Sequence, residues 1–474
     1  MSKNISRRLA RRDFLRYALA GGVGTGLLGV LAACQQPAAA PTTAPKATEA
    51  PKPAATTAPA PAATTAPAPA ATAAAAATKA PAKFSGVTLN LWQHWSGNLE
   101  KVLRDMVTEF NNSGRGITMN VTTVPLSDMW TKVLAAVAAG APPDSYTSAA
   151  MVRPELAKDR AIEDLNKYGK RPDLLKAFDS PTVFMGGWYG VPNNGGLWTM
   201  CYNKELYTKA GLDANKGPQT WNDLVEHGKK LTDPASNQFG IVLPNKPVSW
   251  TTEVWYGFLL EAGGDFLTPD NSAAAFNSEA GVKALQFWVD LAYTHKVSSL
   301  SSMDNNGVQA AYSTGKVGMW TMYPVISGSI GALNFKSGNN PAPKDVKQGT
   351  HFAGTYMPMM SGGKNKEALW EFFSWWMQPE TNGKWCALTG GLPITQAVTQ
   401  TQVYKDYLKS QPLAQAYVDS FDIAKPLPLV IGISEMEQVV AEAIEAAVIG
   451  KQPVKATLDT AAQKVNDIIK KYKS

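Results

Sequence analysis

The chain has 474 residues, with 45 Lys and Arg against 38 Asp and Glu and a formal charge of +7. So basic a balance suggests nucleic acid or an anionic membrane as partner, but the charge is concentrated at the front. Residues 1–33 are net +5 and residues 34–83 net +3; the remaining 35 basic and 36 acidic residues over 84–474 are nearly neutral, which weakens the nucleic-acid reading. These last 391 residues suffice for a large core and, at that size, for two lobes.

The first segment reads as an address. Arg11-Arg12-Asp13-Phe14-Leu15-Arg16 sets paired arginines before an apolar stretch, Tyr17 to Ala33, the plan of a twin-arginine export signal. Leu31-Ala32-Ala33-Cys34 resembles a bacterial lipobox, implying cleavage before Cys34 and lipid attachment to its thiol. The alternative, an uncleaved membrane anchor, is disfavoured by five glycines in that stretch, since a span needs ~20 mostly apolar residues. Gly24-Thr25-Gly26-Leu27-Leu28-Gly29 matches a dinucleotide-binding pattern, but no strand precedes it and it carries no such meaning.

From Gln35 to Lys83, 42 of 49 residues are Ala, Pro or Thr, and an Ala-Ala-Thr-Thr-Ala-Pro-Ala-Pro octet occurs twice, at 54–61 and 62–69. With no large apolar side chain to offset ordering entropy, this segment is expected to be a disordered tether. At ~3.1 Å per residue in polyproline II its full reach is on the order of 150 Å.

The rest alternates between periods of two and of 3.6 residues. Val87–Trp92 reads as a strand, Leu99 to Phe110 as a helix and Ile117–Val124 as a strand. Ser127 is placed to cap a helix that stops at Gly140, and a short strand follows near Ser145–Ser148. The pattern restarts with a strand at Leu197–Tyr202 and a helix from Lys204. Thr220 and Asp223 resemble a capping box opening Trp221–Leu231. Phe239–Leu243 and Val317–Met322 read as strands, Ser278 as a helix cap, and Val454 to Ile468 as an amphipathic helix. The expected class is α/β with parallel sheets in two lobes.

Catalytic and metal signatures do not survive inspection. The four histidines (His94, His227, His295 and His351) are far apart in sequence, and no metal-ligand, thiol-redox or nucleophile motif stands. Asp304-Asn305-Asn306-Gly307 begins like a calcium loop without its closing Glu and reads as a helix cap. Cys201 and Cys386 can bridge in an exported protein, but folding before export in a reducing cytoplasm favours two buried thiols. A carboxylate pair for glycoside hydrolysis, drawn from Asp144, Glu253, Asp265 and Glu435, is the rival to a surface role for these acids. No metal or cofactor is expected.

All fourteen tryptophans lie in 84–474. Trp288, Trp370, Trp375 and Trp376 occupy helical packing positions, whereas Trp92, Trp95, Trp198, Trp250, Trp255 and Trp320 fall where strands end or helices begin. Ligands of open α/β sheets bind outside the carboxyl ends of the strands. An aromatic face there suits the apolar face of a sugar ring, with polar side chains for its hydroxyls.

Several segments in order resemble the extracellular solute-binding proteins of bacterial ABC importers, in particular the sugar-binding group that includes maltose-binding proteins. They are Glu109-Phe110-Asn111, Ala138-Ala139-Gly140-Ala141-Pro142-Pro143-Asp144, Ala161 to Leu165, Gly190-Val191-Pro192, Cys201 to Leu206, Ala210-Gly211-Leu212, Pro218 to Leu224, Gly315 to Met319, and Thr389 to Ile394. The resemblance implies the two-lobed periplasmic-binding-protein fold (type II), its lobes joined by crossover strands. The N-lobe is placed at 84–194 and 343–378 and the C-lobe at 195–342 and 379–474. Carried over by position, the ligand site would take His94, Trp95, Ser96 and Ser148 from the N-lobe and Asn193, Asn194 and Trp198 from the first crossover. The C-lobe would supply Trp250, Glu253, Trp255, Trp320, Tyr323 and Glu435. The glycine-rich crossover Asn193-Asn194-Gly195-Gly196 departs from the group, and the loop-like 333–350 leaves the second crossover unplaced.

The resemblance further implies a monomeric, extracytoplasmic lipoprotein on the outer face of the cytoplasmic membrane, handing a carbohydrate to a permease and breaking no bond. Its rivals are the same fold with another solute, such as a glycerol phosphate ester, and a surface glycosidase. A phosphate favours Arg or Lys at the site, and the candidate loops carry neither.

Overall fold

The computed structural model describes residues 83–150, 152–323 and 333–473. The expected twin-arginine signal, Cys34 and nearly all of the expected tether lie outside the described residues.

Strand β1 (Val87–Gln93) turns Leu89, Leu91 and Gln93 inward, as its alternation requires. Helix α1 (Gly97–Asn111) lays Val102, Leu103, Met106, Val107 and Phe110 against it. Strand β2 (Ile117–Thr123) pairs with β1 in parallel. Helix α2 (Leu126–Ala139) ends at Gly140 with φ +73°. Its cap is Pro125 and not Ser127: the Pro125 carbonyl already accepts from Asp128 and Met129, so the helix begins before Ser127. Strand β3 (Ser145–Tyr146) completes a three-stranded sheet in the order β2–β1–β3, and β4 (Ser148–Ala150) and α3 (Pro154–Lys158) follow.

The strand expected at 197–202 resolves into two, β5 (Val191–Leu197) and β6 (Thr199–Asn203), meeting at Trp198. Helix α4 (Lys204–Lys209) is capped by Asn203. Helix α5 (Trp221–Leu231) opens on the expected capping box: Thr220 Oγ1 accepts from the Asp223 N–H at 3.1 Å, and the Asp223 carboxylate accepts from the Thr220 N–H at 3.0 Å. Thr220→Ala is expected to cost about 1 kcal/mol in urea unfolding; an unchanged midpoint would show that the cap contributes nothing.

The second sheet is built from β6, β7 (Phe239–Val242), β8 (Val317–Met322) and β9 (Ser337–Asn340) in the order β9–β6–β8–β7. Strand β8 runs antiparallel to β6 and parallel to β7. Between β7 and β8 lie α6 (Ser249–Glu261), α7 (Glu279–Tyr293), capped by Ser278, and α8 (Asn305–Ser313). Asp304 Oδ1 accepts from the Gly307 N–H at 2.9 Å, so that motif is a helix cap.

The loop-like stretch contains β9 and leads to the second crossover strand, β10 (Thr350–Met357). Strand β10 is antiparallel to β5 along one edge and to β4 along the other. Helices α9 (Lys366–Trp376), α10 (Pro379–Thr389) and α11 (Gln402–Ser410) follow, then β11 (Ala424–Lys425), which joins β10 in parallel. The chain closes with α12 (Ile433–Val448), packed on α6 and α7, and α13 (Val454–Lys473). Helix α10, placed above in the C-lobe, packs on α1, with the Trp385 ring centred 5.3 Å from that of Trp95. Cys201 and Cys386 are buried free thiols. No helix among the described residues is long and apolar enough to cross a membrane.

Candidate functional site

The site is assembled where β5 passes into β6, beside β10, α6 and α12. Trp198 is held through its backbone: its N–H donates to the His351 carbonyl at 3.3 Å, and its own carbonyl accepts from Thr350 Oγ1 at 2.7 Å. Its ring lies 5.0 Å from Trp250, 4.8 Å from Tyr323 and 5.3 Å from His351, between centroids. Tyr323 is fixed by donating to the Ala353 carbonyl at 2.8 Å. Trp198 is 3% exposed, and its indole N–H finds no partner among the described residues.

Behind these rings sits a buried titratable group drawn from three elements. His351 Nδ1 lies 3.2 Å from the Lys425 carbonyl. A carbonyl only accepts, so the proton sits on Nδ1 and Nε2 is a bare acceptor. That Nε2 faces Glu253 Oε2 at 4.0 Å. Burial lowers the His351 pKa to about 3, keeping the imidazole neutral, and raises that of Glu253 to about 7. Glu437, on α12, is 4% exposed with Oε1 unpartnered among the described residues. Burial first, and then the charge of Glu253, push its carboxyl well above the usual range, with Arg153 opposing.

A second group lies on the N-lobe side. His94 Nδ1 meets Thr147 Oγ1 at 2.6 Å, and burial lowers the His94 pKa to about 4. Trp95 is tied by its N–H to Gln93 Oε1 at 2.6 Å and packs on Trp385, whose indole donates to Asn194 Oδ1 at 3.3 Å. Ser96 is the exposed N-cap position of α1, and Ser148 is buried opposite Tyr356. Asn193 is the extra residue where the β5–β10 register slips. It is fully buried, and neither amide atom has a partner among the described residues. Such bulges re-aim side chains beside functional sites, and an unpaired buried amide calls for water or a ligand.

Three expected site residues lie elsewhere. Trp255 is fully buried in the second core, edge-on to Phe276. Trp320 stacks on Tyr312 of α8 with centroids 5.2 Å apart and is 1% exposed. Glu435 is held by Lys471 at 3.0 Å and by the Tyr472 hydroxyl, at the far end of α13. The acid that α12 turns inward is Glu437. Positions 435 and 437 are ~200° apart on a helix, and only 437 falls on the buried stripe of Ile433, Met436, Val440 and Ile444. An acid on an apolar stripe was the available signal for it; His351, within an all-buried strand, offered none.

A cavity of about 660 Å³ opens on the other face of the crossover strands, lined by Phe178, Phe352, Asp265, Lys347 and Lys425 among others. Phe352 points there because successive strand residues alternate and His351 faces Glu253. It is separate from the aromatic group. No cluster of three His, Cys, Asp or Glu that could hold a metal ion occurs among the described residues.

The sequence pattern of the bacterial extracellular solute-binding proteins matches residues 96–383. A putative binding protein of Brucella abortus (strain 2308) is 25% identical over 372 residues, covering 76% of this chain and 88% of that protein. The sn-glycerol-3-phosphate-binding periplasmic protein UgpB of Yersinia pseudotuberculosis is 24% identical over 304 residues, 59% of this chain and 67% of the relative. The crystal structure of the cyclic alpha-maltosyl-1,6-maltose binding protein from Arthrobacter globiformis superimposes with a TM-score of 0.73 at 28% identity, covering 82% of this chain and 100% of that one. With this fold and this match over more than half its length, the chain belongs to the bacterial extracellular solute-binding protein family, a receptor and not an enzyme.

Proposed function

We propose that the protein captures a carbohydrate between its lobes and delivers it to an ABC permease. The observation that carries this reading is the trio Trp198, Trp250 and Tyr323, with the unpaired Trp198 indole N–H and the buried polar atoms of Glu253, Glu437 and His351 beside it. Aromatic faces suit the C–H faces of a sugar, and inward hydrogen-bonding groups suit its hydroxyls. A phosphate ester is less well served, because Arg153, the cation whose field reaches Glu437, already donates to Ser434. His94, Asn193, Asn194 and Ser148 are taken as the facing wall. Binding would stabilise the closed clamp, the form read by the permease. Export by the twin-arginine signal, lipid attachment at Cys34 and the Ala/Pro/Thr tether would place the receptor outside the cytoplasmic membrane, free to swing over its transporter.

The test is a thermal-shift screen of the purified chain against maltose, longer malto-oligosaccharides, monosaccharides, sn-glycerol 3-phosphate and amino acids. A stabilisation of several degrees by at least one neutral sugar is expected, since ligand at 100 times its Kd adds about 2.7 kcal/mol. A shift with glycerol phosphate or an amino acid and none with any sugar would overturn the carbohydrate assignment.

A further inference from the structure

Two side chains at the start of α3 reach the first turn of α12. Arg153 Nη1 donates to Ser434 Oγ at 2.6 Å, and Glu155 Oε1 accepts from the Gly432 backbone N–H at 3.2 Å. Arg153 and Glu155 stand just before Leu156 and Ala157, which pack with Val124, Met129 and Tyr146 of the first lobe; Gly432 and Ser434 open α12, which packs on α6, α7 and α13 of the second. Both contacts therefore cross from lobe to lobe.

The chemistry at the α12 terminus explains why a partner is needed. The first N–H groups of a helix have no partner within it, and the positive end of the dipole favours a carboxylate. Gly432 is the N-cap of α12, and no side chain caps this helix. No other residue fits there: φ is +83°, and a Cβ would lie 2.5 Å from the Tyr472 ring. Glu155 supplies from the opposite lobe the acceptor that the helix lacks. Arg153 is oriented by Trp130, with its guanidinium carbon 5.0 Å from the ring centroid. One turn further along α12 lies Glu437, on which Arg153 also acts.

We propose that Arg153 and Glu155 are positioning residues forming an interlobe latch, which holds the clamp closed by gripping the N-terminus of α12. The latch acts on the open–closed balance and is indifferent to which solute occupies the cleft. Opening the lobes separates both pairs, exposing the Gly432 N–H and the guanidinium to water. Removing the latch shifts the balance toward open and shortens solute residence.

The test needs no solute, so its outcome is independent of the carbohydrate reading. Nitroxide labels are placed on the full chain through Ala135→Cys on α2 and Lys464→Cys on α13, both exposed, with Cys34→Ser to remove the competing thiol. Interlobe distances are then read by pulsed electron resonance. Arg153→Ala and Glu155→Ala are each expected to lower the closed-to-open ratio by about 5- to 30-fold, the loss of one hydrogen bond to a charged group. Arg153→Lys restores part of it, and Ser434→Ala added to Arg153→Ala changes nothing more. Alanine variants with the wild-type distance distribution, or a wild type wholly open without solute, overturn the latch. Matching melting temperatures between Arg153→Lys and Arg153→Ala separate the population shift from loss of folding.

Discussion

Trp198→Ala is expected to weaken binding of whichever solute stabilises the protein in the thermal-shift screen by about 30-fold or more, and to lower stability by about 3–5 kcal/mol. Both effects follow from one placement. Trp198 joins the two crossover segments and carries ring contacts to Trp250, Tyr323 and His351 at 4.8–5.3 Å. Truncation leaves a void among those rings and takes away the central aromatic face. Trp198→Phe separates the two effects. It keeps a flat face and fills most of the volume, so stability should largely return; affinity should return only in part, because the indole N–H is gone. Calorimetric titration beside urea unfolding of both variants reads this out. Undiminished affinity in the alanine variant would remove Trp198 from the binding surface.

Glu437→Gln should raise the melting temperature at pH 8 and leave it nearly unchanged at pH 4.5. The carboxyls of Glu253 and Glu437 hold their protons more tightly folded than unfolded. As pH rises past about 4.5 the unfolded chain loses these protons first, so stability falls from there through pH 7. The other groups facing the pair do not cancel this. His351 stays neutral across the window, and the Tyr323 phenol is pushed upward by burial. An amide at 437 removes one buried charge and lets Glu253 ionise more easily. Melts from pH 4.5 to 8.5 decide the matter: parallel curves for wild type and variant would show that Glu437 bears no such cost.

Legibility in the sequence varied with the range of the interactions. The capping box at Thr220 and Asp223, the Ser278 and Asp304 caps, the stop at Gly140 and the strand alternation of β1 were all readable because each rests on neighbours within a turn or two. Ser127 misled because Pro125 supplied the competing carbonyl. The contact of α10 with α1 left no trace in the sequence, because it joins Trp385 to Trp95, 290 positions earlier. Among the tryptophans, Trp198, Trp250, Trp255 and Trp320 looked alike as residues at element ends. Only the packing partners distinguish Trp198 and Trp250, in one ring cluster with Tyr323, from Trp255 and Trp320, packed on Phe276 and Tyr312.

The sequence by itself determined the near-neutral α/β body, the order of most of its elements and the family pattern. Composition, periodicity and capping act along the chain and leave their trace there. The tertiary structure decided which acid of α12 turns inward, that His351 stands opposite Glu253, that Asn193 is left unpaired by a slip in register, and that Arg153 and Glu155 close on the end of α12. Those meetings join residues up to 281 positions apart. Helical phase, strand register and lobe closure set them, and each depends on the packing of the whole chain.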